Sequence, residues 1–223
     1  MTDKRIKVMV ISDHPLSPSG VGTQTKYMIE ALLESDKFDF ICLGGAVKHQ
    51  DYSPVKVDPW GDRWTIFPVD SYGNQDMIRS MMQNHKPDIL WFMTDPRFYG
   101  WLWEIENEVR TNIPMVYYHV WDNYPYPMYN QKFYESNDVI VSISKLTSDI
   151  VRNVAPNVEE HYIPHSVDSD IFRKFPDEVV SEFKKSMFHS VPDFKDDDTV
   201  FFWNNRNARR KMTGSVLWWF SEF

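Results

Sequence analysis

Residues 6–33, IKVMVISDHPLSPSGVGTQTKYMIEALL, combine three signals that decide the fold. The apolar run Ile6–Ile11 is nearly continuous, which is typical of a strand that is buried on both faces. A turn-rich loop with two glycines follows it, and the apolar residues of Thr25–Leu33 then recur on one helical face. The succession of strand, glycine loop and helix indicates the first βα unit of a parallel sheet.

The same alternation of apolar runs and helical patterns continues along the chain. Further strands are predicted at Phe38–Leu43, Trp64–Val69, Asp88–Met93, Met115–Tyr118, Val139–Ile143 and Tyr162–Ile163, with helices at Gln75–Gln83 and Gly100–Arg110. Because crossovers between parallel strands are right-handed, we predict an α/β fold with a Rossmann-like, doubly wound parallel sheet. Ligands of such sheets bind outside the carboxyl ends of the strands, so the loops there are the candidate site.

The pattern changes after Phe175, where an amphipathic helix and an acidic connector precede a strand at Thr199–Trp203. The last helix, Thr213–Phe223, is apolar almost all round, and we expect it to be buried by self-association or on the first domain. The predicted domains are an α/β domain at 1–175, a linker at 176–198, and an incomplete βα unit of a second domain at 199–223.

Composition excludes several classes of protein. The 24 basic and 32 acidic residues give a formal charge of −8, which argues against general nucleic-acid binding. The single cysteine, Cys42, rules out an intramolecular disulfide and a cysteine-based zinc site, and a buried free thiol suits a reducing compartment. No apolar stretch approaches transmembrane length, so we expect a soluble cytoplasmic protein.

Three loops carry candidate ligand-binding residues, and each has a simpler structural explanation. Gly20 and Gly22 precede a helix whose N-terminus suits an anion, or they form an ordinary turn. His119 follows a strand and suits hydrogen bonding or proton transfer, or it is a satisfied structural histidine. Arg206 and Lys211 belong to the densest positive cluster, which suits a diphosphate or only balances the acidic residues Asp196–Asp198.

Aromatic residues surround the second of these loops. The stretch after His119 contains four large rings that form a stacking wall for a sugar or simply belong to the core and rim: Trp121, Tyr124, Tyr126 and Tyr129. Two candidate ligands, His119 and Asp122, are too few to support a metal site.

Taken in order, these motifs resemble those of the GT4-type retaining glycosyltransferases, which have the GT-B fold. The similar segments are SGVGTQTKYMIEALL, FPVDSYGNQDM, YYHVWDNYP, IVSISKLTSDIV, IPHSVDSDIFRKF and FFWNNRNARRKMTG. The resemblance covers nearly the whole chain and matches the family's N-terminal domain and the start of its C-terminal domain. It implies transfer of a sugar from a nucleotide-diphosphate sugar to a glycan, lipid or small-molecule acceptor, with no bound metal or other cofactor.

The resemblance also implies roles for particular residues. Gly20 and Gly22 are expected to approach the donor, and His119 is expected to contact its sugar near the reacting carbon. Arg206 and Lys211 are expected to bind the diphosphate and stabilise it as the leaving group. The remaining expected substrate-binding residues are Tyr72, Gly73, Asp122 and Ser144.

The family's paired glutamates, which engage the donor, have no counterpart in this sequence. We therefore expect the chain alone to be inactive in sugar transfer. The alternative hypothesis is a non-catalytic α/β domain that binds an acceptor or partner and forms a homo-oligomer through its apolar C-terminal helix. A nucleotide-binding oxidoreductase is a weaker hypothesis, because the glycine loop lacks the third glycine of a dinucleotide fingerprint.

Overall fold

The apolar run that opens the sequence forms a central strand in the computed structural model of the protein, which describes residues 4–223. The chain forms two units, Met1–Val167 and Asp168–Phe223. Residues 1–3, at the start of the predicted first domain, lie outside the described residues. The predicted division at 1–175, 176–198 and 199–223 stays a prediction.

One eight-stranded sheet organises the first unit. Its strands are β1 (Ile6–Asp13), β2 (Phe38–Gly45), β3 (Val55–Val57), β4 (Gly61–Pro68), β5 (Ile89–Met93), β6 (Met115–His119), β7 (Val139–Ser142) and β8 (Glu159–Tyr162). They lie in the order β3-β4-β2-β1-β5-β6-β7-β8, and every neighbouring pair is parallel except β3 with β4. The predicted α/β fold with a Rossmann-like parallel sheet is therefore confirmed.

Six helices connect these strands. They are α1 (Gly20–Glu34), α2 (Gln75–His85), α3 (Gly100–Trp103), α4 (Glu106–Arg110), α5 (Gln131–Glu135) and α6 (Lys145–Val154). Oxygen atoms of Ser19, Asn74 and Ser144 cap the N-termini of α1, α2 and α6, which satisfies backbone N–H groups that a helix start leaves unpaired.

The two faces of the sheet hold separate hydrophobic cores. Val8 and Val10 of β1 point to the side where Ile29 and Leu33 of α1 pack. Alternate residues of β1 point to the other side, where residues from α2 to α6 cover the sheet. Cys42 is fully buried in the core beside α1, and its burial raises the pKa of the thiol to about 12, so the thiol stays protonated and unreactive.

The second unit contains α7 (Asp177–Phe188) and α8 (Thr213–Glu222). Apolar side chains of α7 are exposed, and so are those of α8, where Trp219 is 66 % exposed and packs beside Trp218. The expected burial of the C-terminal helix, by self-association or on the first domain, stays a prediction.

Two local predictions need correction, and one strand was not predicted. Thr199–Trp203 forms no strand, because the described part of the second unit offers no other strand with which it could pair. The helix predicted over Gly100–Arg110 is two short helices. The helix is interrupted at the buried Ile105, whose N–H bonds to the carbonyl oxygen of Leu102, three residues earlier. Strand β3, an antiparallel edge strand of three residues, escaped prediction.

Candidate functional site

The strand order reverses between β1 and β5, and these two adjacent parallel strands end side by side at the carboxyl edge of the sheet. The Tyr99 hydroxyl lies 3.0 Å from the carbonyl oxygen of Ile11 and 2.8 Å from that of Met93, and so ties the ends of the two strands together. In open α/β sheets the crevice at such a reversal is the usual ligand site. Side chains from the loops after β1, β4, β5 and β6 converge on this edge.

A buried carboxylate, Asp13, is the centre of this convergence. It ends β1 and is 9 % exposed. The Tyr72 hydroxyl donates a hydrogen bond to its Oδ1 atom at 2.8 Å, and the Ser19 hydroxyl donates to Oδ2 at 2.7 Å. The Tyr72 hydroxyl also lies 3.5 Å from the hydroxyl of Thr94, which follows β5. The loops after β1, β4 and β5 are therefore joined through Asp13 and the Tyr72 hydroxyl.

The loop that presents Tyr72 has a constrained backbone. Ser71 and Gly73 both have positive φ angles, 52° and 88°. The Ser71 carbonyl oxygen accepts a hydrogen bond from the Ala46 N–H at 2.8 Å, which holds this loop against the end of β2. Burial and the neighbouring Asp13 carboxylate raise the pKa of Tyr72 far above its usual value, so its hydroxyl remains a donor. Of the two predicted substrate-binding residues in this loop, Tyr72 is thus buried against Asp13 and Gly73 supplies the turn.

The two predicted glycines have different surroundings. A side chain at Gly22 would meet the His14 carbonyl oxygen at 2.6 Å and the Ser17 hydroxyl at 2.9 Å, so this glycine lets the loop pack on α1. Gly20 is exposed at the first residue of α1, and a side chain there would meet nothing within 4 Å. Open space at a helix N-terminus leaves Gly20 accessible to a ligand, whereas Gly22 has an internal structural role.

His119 ends β6 and is fully buried. Its Nε2 atom lies 2.6 Å from the Tyr134 hydroxyl, while Nδ1 has no hydrogen-bond partner among the described residues. Burial lowers the pKa of His119 to about 3, although the nearby Asp95 carboxylate acts in the opposite direction. The ring is therefore neutral at pH 7, and a ligand reaches it only if the neighbouring chain moves aside.

An ion pair lies beside this histidine. Asp95 accepts hydrogen bonds from Arg97 at 2.9 Å and 2.7 Å, a bidentate arrangement. Burial opposes the charge of Asp95, but these hydrogen bonds outweigh it and its pKa is lowered. The Arg97 guanidinium also lies 5.8 Å from the ring centre of Trp121.

The other predicted residues are dispersed. Ser144 caps α6, where its Oγ accepts a hydrogen bond from the Thr147 N–H at 3.0 Å. Asp122 is exposed in the loop after His119. Arg206 and Lys211 belong to the second unit, where Arg206 is exposed and Lys211 partly so. The structure thus brings Tyr72, Gly73 and the glycine loop to the same edge as His119.

Sequence reasoning missed Asp13 and Ser19, the residues that join these loops. A signal for Asp13 was present, because it is the residue that immediately ends the first apolar strand. Within residues 4–223, no group of three or more His, Cys, Asp or Glu side chains is placed to hold a metal ion. In the same part of the chain, no helix is both long and apolar enough to cross a membrane.

The sheet order defines the first unit as a Rossmann-like α/β domain. No known protein-family model and no curated protein matches the chain. Among solved structures, it is similar to Anabaena Alr3699/HepE, which was crystallised in complex with UDP and glucose. The TM-score is 0.52 at 11 % sequence identity, and the match covers 82 % of this chain and 50 % of that one.

A second solved structure is trehalose-6-phosphate from E. coli bound with UDP-2-fluoro glucose, with a TM-score of 0.49 and 12 % identity. That match covers 81 % of this chain and 54 % of the other, so the chain spans about half the length of each solved structure. The similarity to HepE supports the GT-B type of Rossmann-like fold that the sequence predicts.

Proposed function

We propose that this chain is the acceptor-side part of a glycosyltransferase that takes its sugar from a nucleotide-diphosphate donor. The observation that carries the proposal is the convergence of the glycine loop, Asp13 and Tyr72 at the strand-order reversal, with His119 at the same carboxyl edge at the end of β6. The fold is similar to that of HepE, which was solved with UDP and glucose. We further propose the retaining chemistry of the GT4-type family, to which the motifs have a resemblance.

The basic loop of the second unit supports a role in donor binding. Asp196 pairs with Lys185 of α7 at 2.9 Å, and Lys184 donates to the Asp198 carbonyl oxygen at 2.8 Å. The one connector carboxylate in an ion pair, Asp196, is paired by α7, and among the described residues no connector carboxylate pairs with the basic loop. Among the described residues, no carboxylate pairs with the side chains of the four cations in that loop: Arg206, Arg209, Arg210 and Lys211.

Unpaired cations attract a diphosphate, the group that leaves when the acceptor oxygen attacks the sugar. In the proposed reaction, Arg206 and Lys211 stabilise the charge that develops on this leaving group. Gly20 offers its backbone N–H at the start of α1 without steric obstruction. His119 contributes as a neutral imidazole whose Nε2 is held by Tyr134, so its unpartnered Nδ1 is the atom that meets a substrate once the neighbouring chain moves aside.

The test is a calorimetric titration of the chain with UDP, GDP and ADP in turn. We expect one of these nucleotides to bind, and we expect the Arg206→Ala/Lys211→Ala variant to weaken that binding about 100-fold, because two charge-assisted contacts are lost. We also expect no turnover by the chain alone, because it spans half of HepE. Given the nucleotide sugar of the nucleotide that binds, together with sugar acceptors, it should release no free nucleotide.

The matched control is Arg173→Ala/Lys174→Ala, which removes the same charge from exposed positions of the same unit. This control is expected to change the affinity less than about threefold. Absence of nucleotide binding, or an equal loss in both double variants, would argue against the proposed donor site. Measurable sugar transfer by the chain would contradict its proposed inactivity.

A second candidate function is association through α8, which the exposure of its aromatic side chains favours. Trp218 and Trp219 are each more than half exposed, and Phe220 packs with Phe201 of the same unit. Large exposed apolar patches are typical of protein interfaces. In this hypothesis the domain binds an acceptor or a partner without catalysis, and two copies associate through the C-terminal helix.

Sedimentation velocity over a range of concentrations measures this association. We expect a reversible dimer, and we expect Trp218→Ala/Trp219→Ala to weaken it about 100-fold, since tryptophans dominate interface energies. Phe172→Ala, which removes an exposed ring elsewhere in the unit, is the control and should leave the dimer intact. A monomer at all concentrations, or a dimer that tolerates the double substitution, would refute the helix interface.

A further inference from the structure

The loop between β6 and α5, residues 120–130, exposes an unusual amount of aromatic surface. We name this segment the aromatic loop. Tyr124 is 57 % exposed and Tyr129 is 71 % exposed, and Tyr126 and Trp121 are partly exposed beside them. The rings contact one another in two edge-on pairs, Trp121 with Tyr129 and Tyr124 with Tyr126. Exposed apolar surface of this kind is typical of a binding site.

Hydrogen bonds hold the aromatic loop in place. The hydroxyl groups of Tyr124 and Tyr126 both donate to Oδ2 of Asp149 on α6, each at 2.9 Å. The Thr147 hydroxyl donates to the Trp121 carbonyl oxygen at 2.9 Å. Both partners belong to one helix, so the Tyr124 and Tyr126 rings and the Trp121 backbone are fixed to a rigid element before any ligand arrives. Such preorganisation reduces the entropy that binding costs.

The charges around the aromatic loop select against an anionic ligand. Its neighbouring cation, Arg97, is already held by both carboxylate oxygens of Asp95. Asp149 and Asp122 add negative charge, and the whole chain carries a formal charge of −8. A phosphate group or an anionic bilayer would meet net repulsion here. A neutral ligand with hydroxyl groups would instead find carboxylate oxygens that only accept hydrogen bonds.

We propose that the aromatic loop binds a neutral saccharide, which is the acceptor of the sugar transfer. A pyranose ring has C–H groups on its faces, which pack on aromatic rings, and hydroxyls at its rim, which donate to carboxylates. The acceptor role rests on the proposed function. The aromatic loop begins directly after His119, so a saccharide on these rings lies at the carboxyl edge where the transfer is proposed to occur.

The test measures saccharide binding to the full chain without any nucleotide. Maltohexaose, cellohexaose and chitohexaose are titrated separately by calorimetry, each to about 10 mM, which covers the weak affinities of a partial site. We expect at least one to bind, and we expect Tyr129→Ala and Trp121→Ala each to weaken binding about tenfold. Tyr129→Phe keeps the ring and should retain most of the affinity. Phe172→Ala is the control for loss of an exposed ring elsewhere.

Each alternative occupant has its own outcome. No binding of any of the three oligosaccharides, or binding that survives both alanine substitutions, would overturn the proposal. A preference for a heparin hexasaccharide would overturn the argument from charge. Binding to phosphatidylcholine vesicles that Tyr129→Ala abolishes would identify a lipid surface instead.

The two proposals fail separately in these experiments. If saccharide binding fails while nucleotide binding still depends on Arg206 and Lys211, only the acceptor assignment is lost. If nucleotide binding fails while the saccharide binds, the proposed transferase function and the acceptor role fall together, and a saccharide-binding surface remains.

Discussion

Replacing Gly45 by alanine is expected to lower the free energy of unfolding by about 4 kcal/mol or more, among the largest effects of a single substitution. A Cβ atom at this last residue of β2 would lie 1.7 Å from the Ser71 carbonyl oxygen and 2.8 Å from its carbonyl carbon. That oxygen also accepts the Ala46 N–H, so the two segments cannot separate without breaking the bond. Urea unfolding followed by circular dichroism measures the loss.

Gly20→Ala is the matched control, because its Cβ would meet nothing within 4 Å. We expect this variant to stay within about 0.5 kcal/mol of the wild type. Gly45→Ala should also disturb the candidate site, since Tyr72 follows Ser71 and donates to Asp13. Two variants of equal stability would show that the loop around Ser71 moves freely, and that it does not hold Tyr72 in place.

The parallel sheet was predictable because its strands are buried on both faces. Such strands are continuous apolar runs that amphipathic helices separate, and β1, β2, β5 and β6 all have this pattern. Strand β3 lacks it, because three residues at an exposed edge give no apolar run. Thr199–Trp203 has the apolar run, but no partner strand is described beside it. A strand forms only where its backbone groups can pair with those of a second strand.

The candidate site was predictable only as a set of loops. The Tyr72 hydroxyl reaches Asp13 across 59 residues of chain, and no local pattern reports such a contact. The glycine loop shows why residue type alone is ambiguous: Gly22 serves packing, whereas Gly20 lies in open space. The acidic connector was ambiguous for the same reason, because only the folded unit shows that Asp196 pairs with Lys185.

His119 is expected to make the protein sensitive to acid. Its pKa is about 3 in the folded state, because burial disfavours the charged ring, and about 6.5 in an unfolded chain. Between these values the unfolded state binds one more proton, so stability falls as the pH falls from 6.5 towards 3. At pH 4.5, which is two pH units below the pKa of the unfolded state, the free energy of unfolding is about 3 kcal/mol lower than at pH 7.5.

The measurement is the free energy of unfolding in urea at pH 7.5 and pH 4.5 for the wild type and for His119→Gln. We expect the difference between the two pH values to shrink by about 3 kcal/mol in the variant, because the titrating group is gone. Tyr134→Phe is the matched control. It removes the hydroxyl 2.6 Å from Nε2 and should cost about 1 kcal/mol at both pH values while keeping the acid sensitivity.

The same experiment decides what His119 can do in the proposed reaction. A ring that remains neutral down to about pH 3 cannot serve as an imidazolium near pH 7, so its contribution must be a hydrogen bond from or to Nδ1. In a complete enzyme, His119→Ala should then lower turnover sharply, and the wild-type rate should show no inflection near pH 6.5 that belongs to this residue. Parallel pH profiles of stability for the wild type and His119→Gln would mean that the ring titrates normally, and the neutral-imidazole role would be lost.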